Sequence, residues 1–176
     1  SYVLESLLKC PVPGCPAHTL YLSLQAYAPC LSVDVELGVA PSAAAMIRSV
    51  FRVADAEMLR DVVSFAFPAV ASYMLVGEDV EALQSLMQSL AILCEKCPHD
   101  ILGWHDEHDT PSLQILLRII ERLLCMDEQV CGQAFGKFLV ALFAQAGSML
   151  APVMPALLHA LVAKLAQATM PDCTLT

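Results

Sequence analysis

Apolar residues at helical spacing, divided by turn residues, are the feature that most constrains this fold. From Pro41 to Ala168 they recur three or four positions apart in consecutive segments, which is the pattern of amphipathic helices. No strand pattern of comparable strength appears there, so the sequence predicts an all-α protein. The predicted helices span residues 41–54, 55–77, 79–96, 112–126, 127–145 and 151–168.

Proline, glycine and small polar residues predict where these helices end. Gly77 is expected to stop the second helix. Thr110 or Ser112 is expected to cap the fourth, with Pro111 in its first turn. The small residues at 146–148, Ala-Gly-Ser, are expected to end the fifth helix.

The predicted helices form pairs that begin at a regular spacing. The pairs start near Pro41, Asp79 and Asp127, which are 38 and 48 residues apart by subtraction. HEAT and armadillo repeats are about 40–47 residues long, and their stacked helix pairs share one continuous core. We therefore predict a right-handed α-solenoid of HEAT- or armadillo-like pairs. The predicted units are residues 41–77, 78–126 with a polar turn insertion, and 127–170, followed by a tail at 171–176.

Residues 1–40 are expected to form a preceding helical segment with a proline-rich loop. Three prolines and one glycine in CPVPGCP, between Cys10 and Pro16, exclude a helix there. The alternation at residues 31–38 fits a strand or a helix. The opening residues, SYVLESLLKC, resemble a helix already under way, so we expect a segment of a longer protein.

Composition leaves two classes open, a membrane protein and a segment of a larger assembly. Hydrophobic residues make up 57 % and charged residues 15 % of the chain. The longest uncharged run, residues 138–163, contains the predicted break at 146–148, and neither piece is long enough to span a bilayer. We therefore predict no membrane span.

Charge and cysteine content restrict the partners and the compartment. The net charge of −9 predicts repulsion of nucleic acid and attraction of a basic partner. Eight cysteines without a preceding signal peptide indicate reduced thiols in the cytosol or nucleus.

The longest polar interruption, residues 94–111, offers a metal site, a catalytic loop or the polar turn of a helical hairpin. It reads CEKCPHDILGWHDEHDTP and contains Cys94, Cys97, His99, His105 and His108. Seven residues separate Cys97 from His105 and two separate His105 from His108, whereas zinc fingers use about twelve and about three to five. Cys94 also shares the helical register of the preceding leucines. We therefore predict a hairpin turn with no metal and no cofactor.

The acids of this turn are candidate contacts for a basic ligand. Asp106, Glu107 and Asp109 lie closer together than helix capping requires, and such a cluster raises the association rate of a basic ligand. We expect Trp104 and His105 to anchor the turn. No glycine-rich phosphate loop, nucleophile elbow or second carboxylate cluster accompanies these residues, so we predict that the chain is not an enzyme.

Several blocks of the sequence resemble the later HEAT repeats of the importin-β family of nuclear transport receptors. The resemblance spans residues 43–168 and rests most on FPAVA at 67–71 and WHDE at 104–107. Further similar blocks are FAFPAVASYML at 65–75, WHDEHD at 104–109 and FGKFLVALFAQAGSMLAPVMPALLHALVAKLAQA at 135–168.

This resemblance implies an α-solenoid that shuttles between cytoplasm and nucleus. Its implied cargoes are basic proteins, namely histones and ribosomal proteins, with nucleoporins as further contacts. Ran-GTP would bind parts of the receptor outside this chain. The alternative is a HEAT-repeat scaffold or regulatory subunit unrelated to transport.

Overall fold

The structure, a computed structural model, describes residues 17–31, 39–126 and 132–169. Every regular element of that part is helical, which confirms the predicted all-α class. The predicted loop between Cys10 and Cys15 and the ambiguous stretch at 32–38 lie outside it. The helices are α1 (Ala17–Tyr27), a 3-10 turn (Ala28–Leu31), α2 (Val39–Val53), α3 (Ala56–Val76), α4 (Val80–Lys96), α5 (Pro98–Leu102), α6 (Ser112–Cys125), α7 (Gln133–Leu150) and α8 (Met154–Thr169).

The packed helices form two rows, with α2, α4 and α7 in the first row and α3, α6 and α8 in the second. Helix α4 packs against both α2 and α7, while α6 packs against both α3 and α8. The first helices of successive pairs are therefore neighbours, and so are the second helices. Helix α4 has few exposed positions because it lies between two others, and its leucines at 83, 86, 90 and 93 are fully buried.

Aspartate side chains begin two of these helices as N-caps. Asp55 accepts a hydrogen bond from the backbone N–H of Met58 at 2.8 Å, and Asp79 accepts one from Ala82 at 2.8 Å. Each carboxylate satisfies a backbone donor that lacks a partner in the first turn. Gly77 ends α3 as predicted, and a side chain there would collide with the ring of Tyr73.

The predicted break at residues 146–148 is wrong. Helix α7 continues through them to Leu150. Glycine in a helix costs only about 1 kcal/mol relative to alanine, whereas burying a leucine side chain contributes about 1.5–3 kcal/mol. Ala146 and Leu150 are both fully buried, so packing outweighs the local preference of Gly147.

The predicted cap of α6 is also wrong. Pro111 occupies the N-cap position without a side-chain hydrogen bond, and Ser112 is the first helical residue. The Ser112 backbone N–H donates to the carbonyl of Trp104 at 2.9 Å. Its hydroxyl is buried without a hydrogen-bond partner.

One described helix, α3, is long and apolar enough to cross a membrane by length and composition alone. Half of its most apolar window is buried inside the protein, and its Phe67 and Met74 belong to the core. A core helix has the same properties, so the absence of a membrane span stays a prediction.

Candidate functional site

The polar stretch at 94–111 forms the end of α4, the short helix α5 and a loop. We call residues 103–111 the polar loop. Cys94 and Cys97 lie before it and are 2 % and 3 % exposed. The Cys97 thiol donates to the carbonyl of Leu93 at 3.3 Å. Cys94 therefore lies on the core face of α4, as its register predicted.

Burial makes these two cysteines poor nucleophiles. Loss of hydration raises the pKa of Cys94 to about 12 and that of Cys97 to about 11. A metal ligand or a nucleophile must be a thiolate. Among the described residues, no group of three or more His, Cys, Asp or Glu side chains is placed to hold a metal ion. That the protein binds no metal remains a prediction.

We expect Cys94 and Cys97 to react with iodoacetamide at least about tenfold more slowly than Cys125, because rate follows the thiolate fraction and access. Cys125 is exposed and serves as the internal control. Peptide mass mapping after timed labelling of the native protein measures each rate. Equal rates for the three cysteines would contradict the buried placement.

The same pKa values predict a loss of stability in alkali. Both folded-state pKa values lie above the ordinary value of 9.0, so the unfolded chain releases these protons first. The free energy of unfolding should therefore fall as pH rises above about 9.

Asp106 holds the polar loop together through backbone hydrogen bonds. Its Oδ1 accepts the N–H of His108 at 2.9 Å and that of Thr110 at 2.7 Å. The Asp106 N–H donates to the carbonyl of Thr110, and the Asp109 N–H donates to the carbonyl of Asp106. Asp109 has a φ of 61°, which aspartate tolerates better than most residues. One carboxylate therefore closes the turn.

The two expected anchor residues have different surroundings. The Trp104 ring is half-buried and meets Phe67 edge-on, with 5.1 Å between ring centroids. His105 is exposed, and its Nδ1 lies 3.0 Å from the carbonyl oxygen of Gly103. Trp104 thus contacts the core, whereas the hydrogen bond of His105 stays within the loop.

The three acids differ in their freedom to meet a ligand. Glu107 and Asp109 are exposed, and the carboxylate of Glu107 lies 3.8 Å from the imidazole of His108. The hydrogen bonds from Thr110 and His108 lower the pKa of Asp106. Asp106 therefore stabilises the shape of the loop, whereas Glu107 and Asp109 face solvent.

Replacing Asp106 by alanine should open the polar loop without unfolding the protein. Hydrogen exchange at the amides of His108 and Thr110 should accelerate by about tenfold or more, because both lose their acceptor. Asp109→Asn is the control, since asparagine also tolerates a positive φ.

Acid should have the same effect on the unmodified loop. Because the folded pKa of Asp106 is lowered from 3.8, its contribution is present above that pH and is lost as pH falls through the folded pKa. Amide protection that is independent of pH, and unchanged in Asp106→Ala, would show that the carboxylate does not close the loop.

Lys96 forms a contact that sequence reasoning missed. Its ammonium donates to the carbonyls of Phe51 at 3.0 Å, Arg52 at 3.0 Å and Ala54 at 2.6 Å. These carbonyls lie at the C-terminal end of α2, which lacks internal donors and carries partial negative charge. A side chain of α4 therefore caps the helix that precedes it in the same row.

The second row of helices repeats this arrangement. On α6, Arg122 donates to the carbonyls of Met74 at 2.8 Å and Gly77 at 2.6 Å, at the end of α3. On α8, Lys164 donates to the carbonyl of Met126 at 2.6 Å, at the end of α6. A basic residue within an apolar helix was the available sequence signal.

No model of a known protein family matches this sequence, and no curated protein matches it.

Proposed function

We propose that this chain is a segment of an importin-β family nuclear transport receptor, built as a right-handed α-solenoid of HEAT-type pairs. Such a receptor would carry basic protein cargo of the histone or ribosomal type between cytoplasm and nucleus under Ran-GTP control. Ran-GTP would act through parts of the receptor outside this chain. The transport function rests on the resemblance of the sequence to this family. One structural observation supports the solenoid architecture: side-chain contacts between successive predicted pairs recur at separations of 38 to 48 residues.

These five contacts join successive predicted pairs, and all but the one between α3 and the short helix α5 connect equivalent helices, as stacked repeats require. They join Arg48 to Gln88, Arg60 to Asp100, Lys96 to Ala54, Arg122 to Met74 and Lys164 to Met126, which are 38 to 48 residues apart. HEAT and armadillo repeats have a period of about 40–47 residues. The separation supports a repeat architecture independently of the resemblance in sequence.

The polar loop supplies the proposed cargo contact. Its Glu107 and Asp109 are exposed, and the chain has a net charge of −9. Exposed carboxylates steer a basic protein toward the surface and increase its association rate. Asp106 would support this surface by shaping the loop.

Neutralising only the two exposed acids tests the cargo contact. In the full-length protein, Glu107→Gln with Asp109→Asn should slow the association of purified core histones by about twofold to tenfold at low salt, and should reduce the salt dependence of the rate. Glu78→Gln with Glu81→Gln is the matched control, because it removes equal charge near the opposite end of α4. Equal association rates for the two double variants would show that the polar loop is not part of the cargo contact.

Ran-GTP distinguishes a transport receptor from the alternative of a HEAT scaffold. Proteins captured from cell extract by the full-length protein should be basic, and Ran-GTP should release them while Ran-GDP should not. Capture that is indifferent to the nucleotide state of Ran would reject the transport function and favour the scaffold.

A further inference from the structure

A groove of about 770 Å³ crosses the exposed surface of α4 and α7 and reaches the end of α2. Ile92 of α4 and Gly136 and Val140 of α7 contribute to its apolar part. Val140 is 70 % exposed, so this part of the groove lies open to solvent. The groove is a different surface from the polar loop.

The charge of the groove differs in sign from that of the whole chain. Arg52 and Lys137 line it together with a single acid, Glu95, giving one net positive charge, whereas the chain carries −9. Among the described residues, neither the Arg52 guanidinium nor the Lys137 ammonium forms a salt bridge within 4.0 Å. These cations are therefore available to an acidic partner.

Gly136 leaves the floor of the groove open. A Cβ at this position would meet no atom within 4 Å, so no packing contact inside the described protein requires glycine there. Glycine weakens a helix but allows another backbone to approach closely. Its position beside Lys137 gives a bound chain access to both the helix surface and the cation.

We propose that this groove binds an extended peptide segment in which carboxylate side chains flank an aliphatic one. The carboxylates pair with Arg52 and Lys137, and the aliphatic side chain packs on Ile92 and Val140. The groove is open and is lined by apolar side chains and by two cations from different helices, which fits an extended chain carrying both aliphatic and acidic side chains. The groove would therefore bind acidic ligands, whereas the ligands proposed for the polar loop are basic. This assignment does not depend on the transport function.

Fluorescence polarisation with three labelled decapeptides tests this assignment on the 176-residue chain. The first peptide carries aspartates around a central leucine pair, the second has lysine for each aspartate, and the third has serine for each leucine. The first should bind at least about tenfold more tightly than the others, and its affinity should fall between about 0.05 M and about 0.3 M salt. Comparable binding of the lysine peptide, or no binding of the aspartate peptide, would overturn the proposal.

Two pairs of variants locate the binding site. Arg52→Glu with Lys137→Glu should weaken the aspartate peptide by about tenfold, whereas Arg118→Glu, an exposed cation of α6 outside the groove, should not. Gly136→Leu should block the groove without changing charge. Gly147→Leu is its control, because that glycine of α7 also has open space and does not line the groove.

Glu95→Lys removes the acid of the groove and adds a cation, so it should strengthen binding of the aspartate peptide. Misfolding would weaken binding and therefore cannot produce this result. Unchanged affinity in both Gly136→Leu and the double cation variant would place any binding outside the groove and overturn the assignment.

Discussion

Replacing Phe67 by alanine is expected to lower the free energy of unfolding by about 3–5 kcal/mol, the usual cost of removing a buried phenylalanine. The side chain is fully buried, and its ring contacts Trp104 at 5.1 Å between centroids. The substitution leaves a cavity beside α3 and removes the ring against which Trp104 of the polar loop packs. Urea denaturation followed by circular dichroism measures the change.

Phe65→Ala is a suitable control on the same helix. Phe65 is half-buried and meets Tyr21 rather than the polar loop, so the loss should be clearly smaller. Trp104 is the only tryptophan in the chain, and its fluorescence should shift to longer wavelength in Phe67→Ala but not in Phe65→Ala. Equal destabilisation and identical emission in the two variants would contradict the placement of Phe67 beneath the loop.

A double-mutant cycle isolates the contact between the two rings. Trp104→Ala, Phe67→Ala and the double variant should yield a coupling free energy of about 0.5–1.5 kcal/mol, typical of an aromatic pair. Additive effects would mean that Phe67 acts through the core alone.

Local sequence patterns predicted the helices because their causes are local. The spacing of the leucines on α4 placed Cys94 on the core face, and it is buried there. Gly77 ends α3 as expected, and a side chain at this position would collide with the ring of Tyr73. Each prediction needed only neighbours within one or two helical turns.

Predictions failed where tertiary packing outweighed local preference. Gly147 lies inside α7 because the burial of Ala146 and Leu150 exceeds the helical cost of one glycine. Ser112 is the buried first residue of α6 and does not cap it, and its backbone N–H bonds to the carbonyl of Trp104.

The candidate sites were less predictable than the helices. Asp106 and Asp109 look alike in sequence, but only the backbone course of the loop turns one carboxylate toward two amides. The groove joins Arg52 to Lys137, which are 85 residues apart by subtraction. Their proximity follows from how α2, α4 and α7 pack, and no local pattern encodes it.

Arg122→Met should lower the free energy of unfolding by about 2–3 kcal/mol, because hydrogen bonds to a charged group contribute about 1.5–3 kcal/mol. Methionine retains most of the apolar part of the arginine side chain, so the loss of stability measures the contribution of the guanidinium rather than that of packing. The carbonyls of Met74 and Gly77 then lose the cation that bonds them at 2.8 Å and 2.6 Å. The free energy of unfolding of Arg122→Lys should lie between that of the unmodified protein and that of Arg122→Met, because an ammonium keeps the charge but lacks the planar arrangement of donors.

Arg118→Met, one turn earlier on α6, is the matched control. Arg118 is exposed, and its loss should change stability by no more than about 0.5 kcal/mol. If the protein unfolds as one unit, urea denaturation of Arg122→Met should show a lower midpoint with an unchanged slope. A reduced slope would instead mean that parts of the protein unfold separately once the contact between α3 and α6 is weakened. Equal stability of the Arg118 and Arg122 variants would show that the cation does not stabilise the end of α3.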